Sequence, residues 1–159
     1  MPLLLLALIS PVLVLTLIFC RAGPLNGLLE MAPALIGYVA LAATYRRLRL
    51  SDFCYVAVFL HTLVLVYGAY YTYAETPLGN WAKAAFHLSR NHYDRVGHLA
   101  LGFFPVSIIK EVLLRATPLR RGGWLTFIVL SVVLAVAAGY EFIEWGSTYV
   151  FAADVVAPS

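Results

Sequence analysis

Residues 2–19 form an almost unbroken run of leucine, valine and isoleucine, and this run limits the possible folds more than any other feature. Roughly 20 consecutive apolar residues are enough for a helix to cross the hydrocarbon core of a bilayer. A secretory signal peptide is the competing interpretation. It would need a basic segment before the run, which is missing, and residues 21–24 make a poor cleavage site. The run is therefore interpreted as a membrane span.

Four later segments share this apolar character and are separated by turns that contain glycine, proline or arginine. Of all residues, 62% are hydrophobic and 12% are charged, whereas a soluble domain has roughly half and a quarter. We expect an all-α fold, a polytopic transmembrane helix bundle of about five spans within one membrane domain, 1–159. The predicted spans are 2–20, 25–45, 53–73, 96–114 and 124–149.

The basic residues are unevenly divided between the two sides of the predicted bundle. Six arginines and Lys110 lie on one side, and four basic residues lie on the other. The side richer in arginine and lysine normally faces the cytoplasm. This asymmetry predicts a cytoplasmic amino terminus and an external loop at 75–95. The net charge of +3 is explained by basic loops that anchor the spans to the lipid bilayer, so no nucleic-acid partner is expected.

Ionisable residues inside the predicted spans gather at one depth near the external side. Asp94 and His98 lie four residues apart, on one face of the fourth span. Glu141 and Glu144 lie three apart near the end of the fifth span, and Glu30 lies near the start of the second. Ionisable groups within a membrane are costly, and they usually face an interior cavity or pair with one another. We therefore predict that these five residues converge.

A divalent metal is one predicted ligand for this cluster, because imidazole and carboxylate groups together suit such cations. The candidate metal ligands are His98, Glu141, Glu144 and His92. When two carboxylates lie close together, the pKa of one of them is raised, which suits that group to proton transfer. Candidate catalytic residues are therefore Asp94, Glu141 and Glu144. Whether the chain is an enzyme stays open at this point.

A lipid-linked headgroup is the other predicted ligand, with Arg95, Glu30 and His61 as candidate contacts. A guanidinium such as Arg95 repels a metal ion and prefers a phosphate or carboxylate. The alternative is a non-enzymatic membrane protein, such as an assembly partner or small transporter subunit. Its intramembrane charges would then form a structural network in which Arg95 neutralises Glu141 or Glu144.

Several other residues receive structural interpretations. Cys20 and Cys54 form neither a metal pattern nor a convincing disulfide pair. Two glycines, at positions 97 and 102, are predicted to let helices approach closely. Lys110 and Glu111 are expected to pair locally with Arg115 and with lipid headgroups.

Two motifs resemble the signature of the YjdF-like bacterial inner-membrane proteins: residues 91–98, NHYDRVGH, and residues 140–145, YEFIEW. The likeness continues from the first motif through 102–105 to Glu111 and Arg115. It implies a helical fold in the bacterial inner membrane, and the family has no established activity. More loosely, an Asp-x-x-x-His at a helix start, followed by a glutamate-bearing helix, is similar to the VanZ-like proteins.

The carboxyl-terminal part departs from the YjdF-like pattern. Those proteins carry a further carboxylate-rich stretch that leads into a sixth span. In this chain, residues 153–159 stand where that stretch should begin. By this resemblance, the chain is expected to lack the family's final carboxylate-rich motif and its sixth span.

Overall fold

The computed structural model describes residues 2–21 and 23–155, with side chains for all of these except 24, 25, 144 and 147–155. Every regular element in this part of the chain is helical, which confirms the predicted all-α fold. A 3₁₀ turn, Tyr73–Glu75, accompanies the α-helices. These are α1 (Pro2–Phe19), α2 (Pro24–Thr44), α3 (Asp52–Tyr71), α4 (Pro77–Ala85), α5 (Tyr93–Phe103), α6 (Pro105–Ala116) and α7 (Gly123–Val155).

Four of the described helices are long and apolar enough to cross a membrane. In the most apolar 18-residue segment of α3, half of the residues are buried within the protein. In the equivalent segments of α1, α2 and α7, only 22%, 17% and 11% of the residues are buried. The apolar outer faces of these three helices are therefore available to lipid. The four segments are Pro2–Phe19, Asn26–Thr44, Asp52–Tyr71 and Gly123–Ile143.

Residues 96–114, expected to form a single span, are divided between α5 and α6. Helix α5 begins at Tyr93, and α6 begins at Pro105. Proline has no backbone N–H, and its ring clashes with the carbonyl group four residues earlier, here that of Leu101. Phe104 at the junction keeps helical torsion angles, φ −67° and ψ −40°. The two helices are therefore joined by a proline kink.

Helix α3 is the centre of the bundle, and it packs against α1, α2, α5 and α6. The hydroxyl of Tyr93, at the start of α5, donates to the carbonyl oxygen of Val64 at 3.1 Å. In the middle of α6, Glu111 accepts the backbone N–H of Ser51 at 2.7 Å. The pair α5–α6 thus runs antiparallel to α3 along most of its length.

Close packing between α3 and α5 depends on the ring of Tyr73. This ring contacts both Gly68 of α3 and Gly97 of α5. A Cβ atom added to Gly97 would lie only 2.7 Å from the ring carbon Cε1. Gly97 is therefore a packing glycine, as predicted. The same prediction is wrong for Gly102, because no atom lies within 4 Å of the position that its Cβ would take.

Candidate functional site

A cavity of about 420 Å³ lies at the end of the bundle where α5 begins. Its walls come from α2, α3, α5, α7 and the segment that precedes α5. Three carboxylates from three helices line it, and so do one histidine and one guanidinium. The ionisable groups are Glu30, Asp94, Glu141, His98 and Arg90. The structure thus brings together four of the five residues that were expected to converge.

Helix α5 presents one face to this cavity. The residues that line it are 94, 97, 98 and 101, a spacing of three and four that places them along one stripe of an α-helix. Arg95 follows Asp94 by one residue and therefore points about 100° around the helix. It is exposed and does not line the cavity. The cation in the cavity wall is Arg90, which no sequence motif singles out as a site residue.

Asp94 has one weakly paired oxygen and one buried oxygen. Its Oδ2 atom lies 3.5 Å from Nη2 of Arg90, and 60% and 41% of the side chains of Arg90 and Asp94 are exposed, so this ion pair contributes little. The Oδ1 atom is buried and has no hydrogen-bond partner among the described residues. A buried acceptor left unpaired costs roughly 1–3 kcal/mol.

His98 of α5 faces Glu141 of α7. The Nε2 atom of His98 lies 3.9 Å from Oε2 of Glu141, with about half and two thirds of the two side chains exposed. This distance brings the two predicted motifs together, but it is too long for a hydrogen bond. Among the described side chains, no group of three or more His, Cys, Asp or Glu could hold a metal ion. The side chain of Glu144, a predicted ligand, lies outside the described residues.

Two further candidates lie away from the cavity. His92 precedes α5, and its buried Nδ1 atom has no described hydrogen-bond partner. His61 is buried in α3 and stacks on Phe104, with ring centroids 5.7 Å apart. Neither histidine lines the cavity. His61 instead packs at the junction of α5 and α6.

Asn91, which was not among the predicted site residues, holds the segment of residues 76–90 against the start of α5. Its side chain is buried, and Nδ2 donates to the backbone oxygen of Thr76 at 3.0 Å and to Oδ1 of Asn80 at 3.1 Å. Its Oδ1 atom accepts the backbone N–H of Tyr93 at 2.9 Å. Asparagine side chains commonly hydrogen-bond to the backbone two residues further along the chain. The position of Asn91 two residues before Tyr93 was therefore the sequence signal for this contact.

Two hydrogen bonds fix the α2 wall of the cavity. The hydroxyl of Tyr140 in α7 donates to the carbonyl oxygen of Leu29 at 2.9 Å. Within α2, Nδ2 of Asn26 donates to Oε1 of Glu30 at 2.6 Å. These contacts join α7 to α2 beside the cavity and orient the Glu30 carboxylate.

Comparison with known proteins agrees with this membrane architecture. Residues 1–158 match the family described as Predicted membrane protein (DUF2238). The chain is also 39% identical over 138 residues to Inner membrane protein YjdF of Escherichia coli (strain K12). That alignment covers 84% of this chain and 66% of the relative, just under two thirds of its length. No solved structure matches, and the looser likeness to VanZ-like proteins finds no support. This chain belongs to the DUF2238 family of predicted membrane proteins.

Proposed function

We propose that this integral membrane protein binds the headgroup of an outer-leaflet phospholipid that carries both an ammonium and a phosphate group, as phosphatidylethanolamine does. The observation that carries the proposal is the cavity of about 420 Å³ with its three carboxylates and one arginine. Small-molecule sites usually enclose about 300–1,000 Å³. The cavity therefore has the size of a headgroup site and greatly exceeds what a single bare cation needs.

The charges in the wall favour a ligand with a positive group. Three carboxylates face one guanidinium, so the wall carries a net charge of −2 while His98 is neutral, and such a wall attracts cations. An ammonium group has N–H donors to offer, and Asp94, whose side chain lines the cavity and is 41% exposed, presents a carboxylate that can accept them. Arg90 is held only at 3.5 Å by its exposed pair with Asp94. Its guanidinium is suited to a phosphate.

The orientation of the chain decides which leaflet supplies the lipid. We propose a cytoplasmic amino terminus in the inner membrane, because the Arg-rich turns after α2 and α6 belong on the cytoplasmic side. The cavity then opens towards the outer leaflet.

A cysteine at Ala85, exposed in α4, is expected to react with a membrane-impermeant maleimide in intact cells. Cys20→Ser and Cys54→Ser would first remove the native thiols. A cysteine at Arg120, exposed in the turn after α6, should react only after lysis, because that turn is predicted to be cytoplasmic. The reverse pattern would place the cavity in the cytoplasmic leaflet.

Retention of lipid by the detergent-purified protein tests the headgroup proposal. The protein is equilibrated with phosphatidylethanolamine and phosphatidylglycerol of identical acyl chains, and bound lipids are counted by native mass spectrometry. We expect Asp94→Asn to weaken phosphatidylethanolamine binding about tenfold, since a hydrogen bond to a charged group contributes about 1.5–3 kcal/mol. Glu75→Gln is the matched control, because Glu75 is an exposed carboxylate near the same end that does not line the cavity.

A divalent cation is the competing ligand, favoured by the 3.9 Å approach of His98 to Glu141. Metal analysis of the same samples distinguishes the two. Tightly bound zinc or manganese that His98→Ala abolishes, with phosphatidylethanolamine binding unchanged in Asp94→Asn, would replace the headgroup proposal. Equal binding of phosphatidylethanolamine by the wild type and Asp94→Asn, without metal, would leave a structural network of charges.

A further inference from the structure

A second, larger cavity of about 920 Å³ lies between α3 and α6, towards the opposite end of the bundle from the headgroup cavity. We call it the α3–α6 groove. Its floor includes large apolar side chains that are exposed on the protein, among them Phe53, Leu60 and Phe103. Its rim carries four charged groups: Lys110, Glu111, Arg115 and Arg121.

The carboxylate in this rim is already engaged by the protein. Glu111 accepts the backbone N–H of Ser51 at 2.7 Å, the Ser51 hydroxyl at 2.6 Å and the Cys54 thiol at 2.9 Å. Arg115 forms an ion pair with the same carboxylate. Its guanidinium also donates to the backbone oxygen of Arg49. Glu111 and Arg115 therefore neutralise each other within a fixed network.

Lys110 and Arg121 remain as uncompensated charges beside the groove. Both are exposed, and neither makes an ion pair with an acidic residue in the described part of the chain. The groove therefore combines a long apolar surface with two positive charges at its edge. Basic pockets between membrane helices on the cytoplasmic side favour anionic lipid headgroups.

We propose that the α3–α6 groove holds an anionic phospholipid of the cytoplasmic leaflet, such as phosphatidylglycerol. Its acyl chains lie against Phe53, Leu60 and Phe103, and its phosphate lies beside Lys110 and Arg121. Charge complementarity selects the headgroup, and the apolar floor requires a ligand with hydrocarbon chains. This site is separate from the headgroup cavity in position and in charge, because the cavity wall is negative and the rim of the groove is positive.

Native mass spectrometry of the 159-residue protein with added phosphatidylglycerol tests this proposal. We expect Lys110→Gln/Arg121→Gln to weaken phosphatidylglycerol binding about thirtyfold, which corresponds to about 2 kcal/mol for two charges near the membrane surface. The matched control is Arg46→Gln/Arg120→Gln. It removes two exposed charges from the same end of the bundle, and neither residue lines the groove. This control should bind phosphatidylglycerol as the wild type does.

Four results would overturn the proposal. Equal weakening by both double variants would indicate general attraction to a basic surface, and no weakening by either would remove the site. Displacement of the lipid by millimolar glycerol 3-phosphate would show that contact with the acyl chains contributes nothing to the binding affinity. The same spectra report oligomeric state, and a dimer that Lys110→Gln/Arg121→Gln converts to monomer would assign the groove to a second copy of this chain instead.

Discussion

Replacing Asn91 by alanine is expected to lower the free energy of unfolding by about 3 kcal/mol, since the change leaves several buried polar groups without partners. The lost bonds join Asn91 to Thr76, Asn80 and the backbone N–H of Tyr93. Thr76 is fully buried and Tyr93 nearly so, which means that water cannot readily replace the lost partner. Unfolding in mixed micelles, followed by circular dichroism, gives the free energy.

Asn80→Ala is the matched control for this change. It removes a single bond from the same network, at an exposed residue, and should cost about 1 kcal/mol. Asn91→Ala should also weaken headgroup binding, because Asn91 lines the cavity beside Asp94. If the two alanine variants are equally stable, Asn91 does not hold the loop in place.

Most of the architecture was accessible from the sequence because a membrane imposes a simple length requirement. Helices α1, α2, α3 and α7 begin and end within a few residues of the predicted spans, except that α7 continues to Val155. Crossing the hydrocarbon core takes roughly 20 apolar residues. The division of the fourth span was not predicted, although Pro105 carries the signal. Hydropathy averages over a window and does not register the loss of one backbone donor.

The candidate site was predictable where helical periodicity determines direction. Asp94 and His98 are four residues apart and line the same cavity, as the pattern predicts. Arg95, one of the three candidate headgroup contacts, does not line the cavity, since adjacent residues on a helix point in different directions. Arg90 and Asn91 were missed for another reason. They precede α5 in irregular chain, where no periodicity indicates which way a side chain points.

At the other end of the bundle, sequence reasoning identified only part of the interaction. The expected local pair between Glu111 and Arg115 is confirmed. The bonds from Glu111 to Ser51 and Cys54 span 60 and 57 residues. Such long-range contacts depend on which helices pack together, and α3 and α6 are not consecutive in the chain. The sequence contains no local signal for that choice.

Glu111→Ala is expected to lower the free energy of unfolding by about 3 kcal/mol, because it removes one partner of a partly buried ion pair. Only 17% of the Glu111 side chain is exposed, compared with 45% for Arg115. The change also removes the acceptor for the backbone N–H of Ser51 at the start of α3. Helix α3 would then lose its main polar attachment to α6.

Glu111→Gln separates charge from hydrogen bonding in this network. Glutamine keeps one acceptor oxygen for Ser51 but cannot form the ion pair with Arg115, so we expect a smaller loss of about 1.5 kcal/mol. Glu75→Ala, an exposed carboxylate outside the network, should change stability by less than about 0.5 kcal/mol. Unfolding in mixed micelles would rank the three variants. If Glu111→Ala were no less stable than Glu75→Ala, the contacts of Glu111 would not hold α3 against α6.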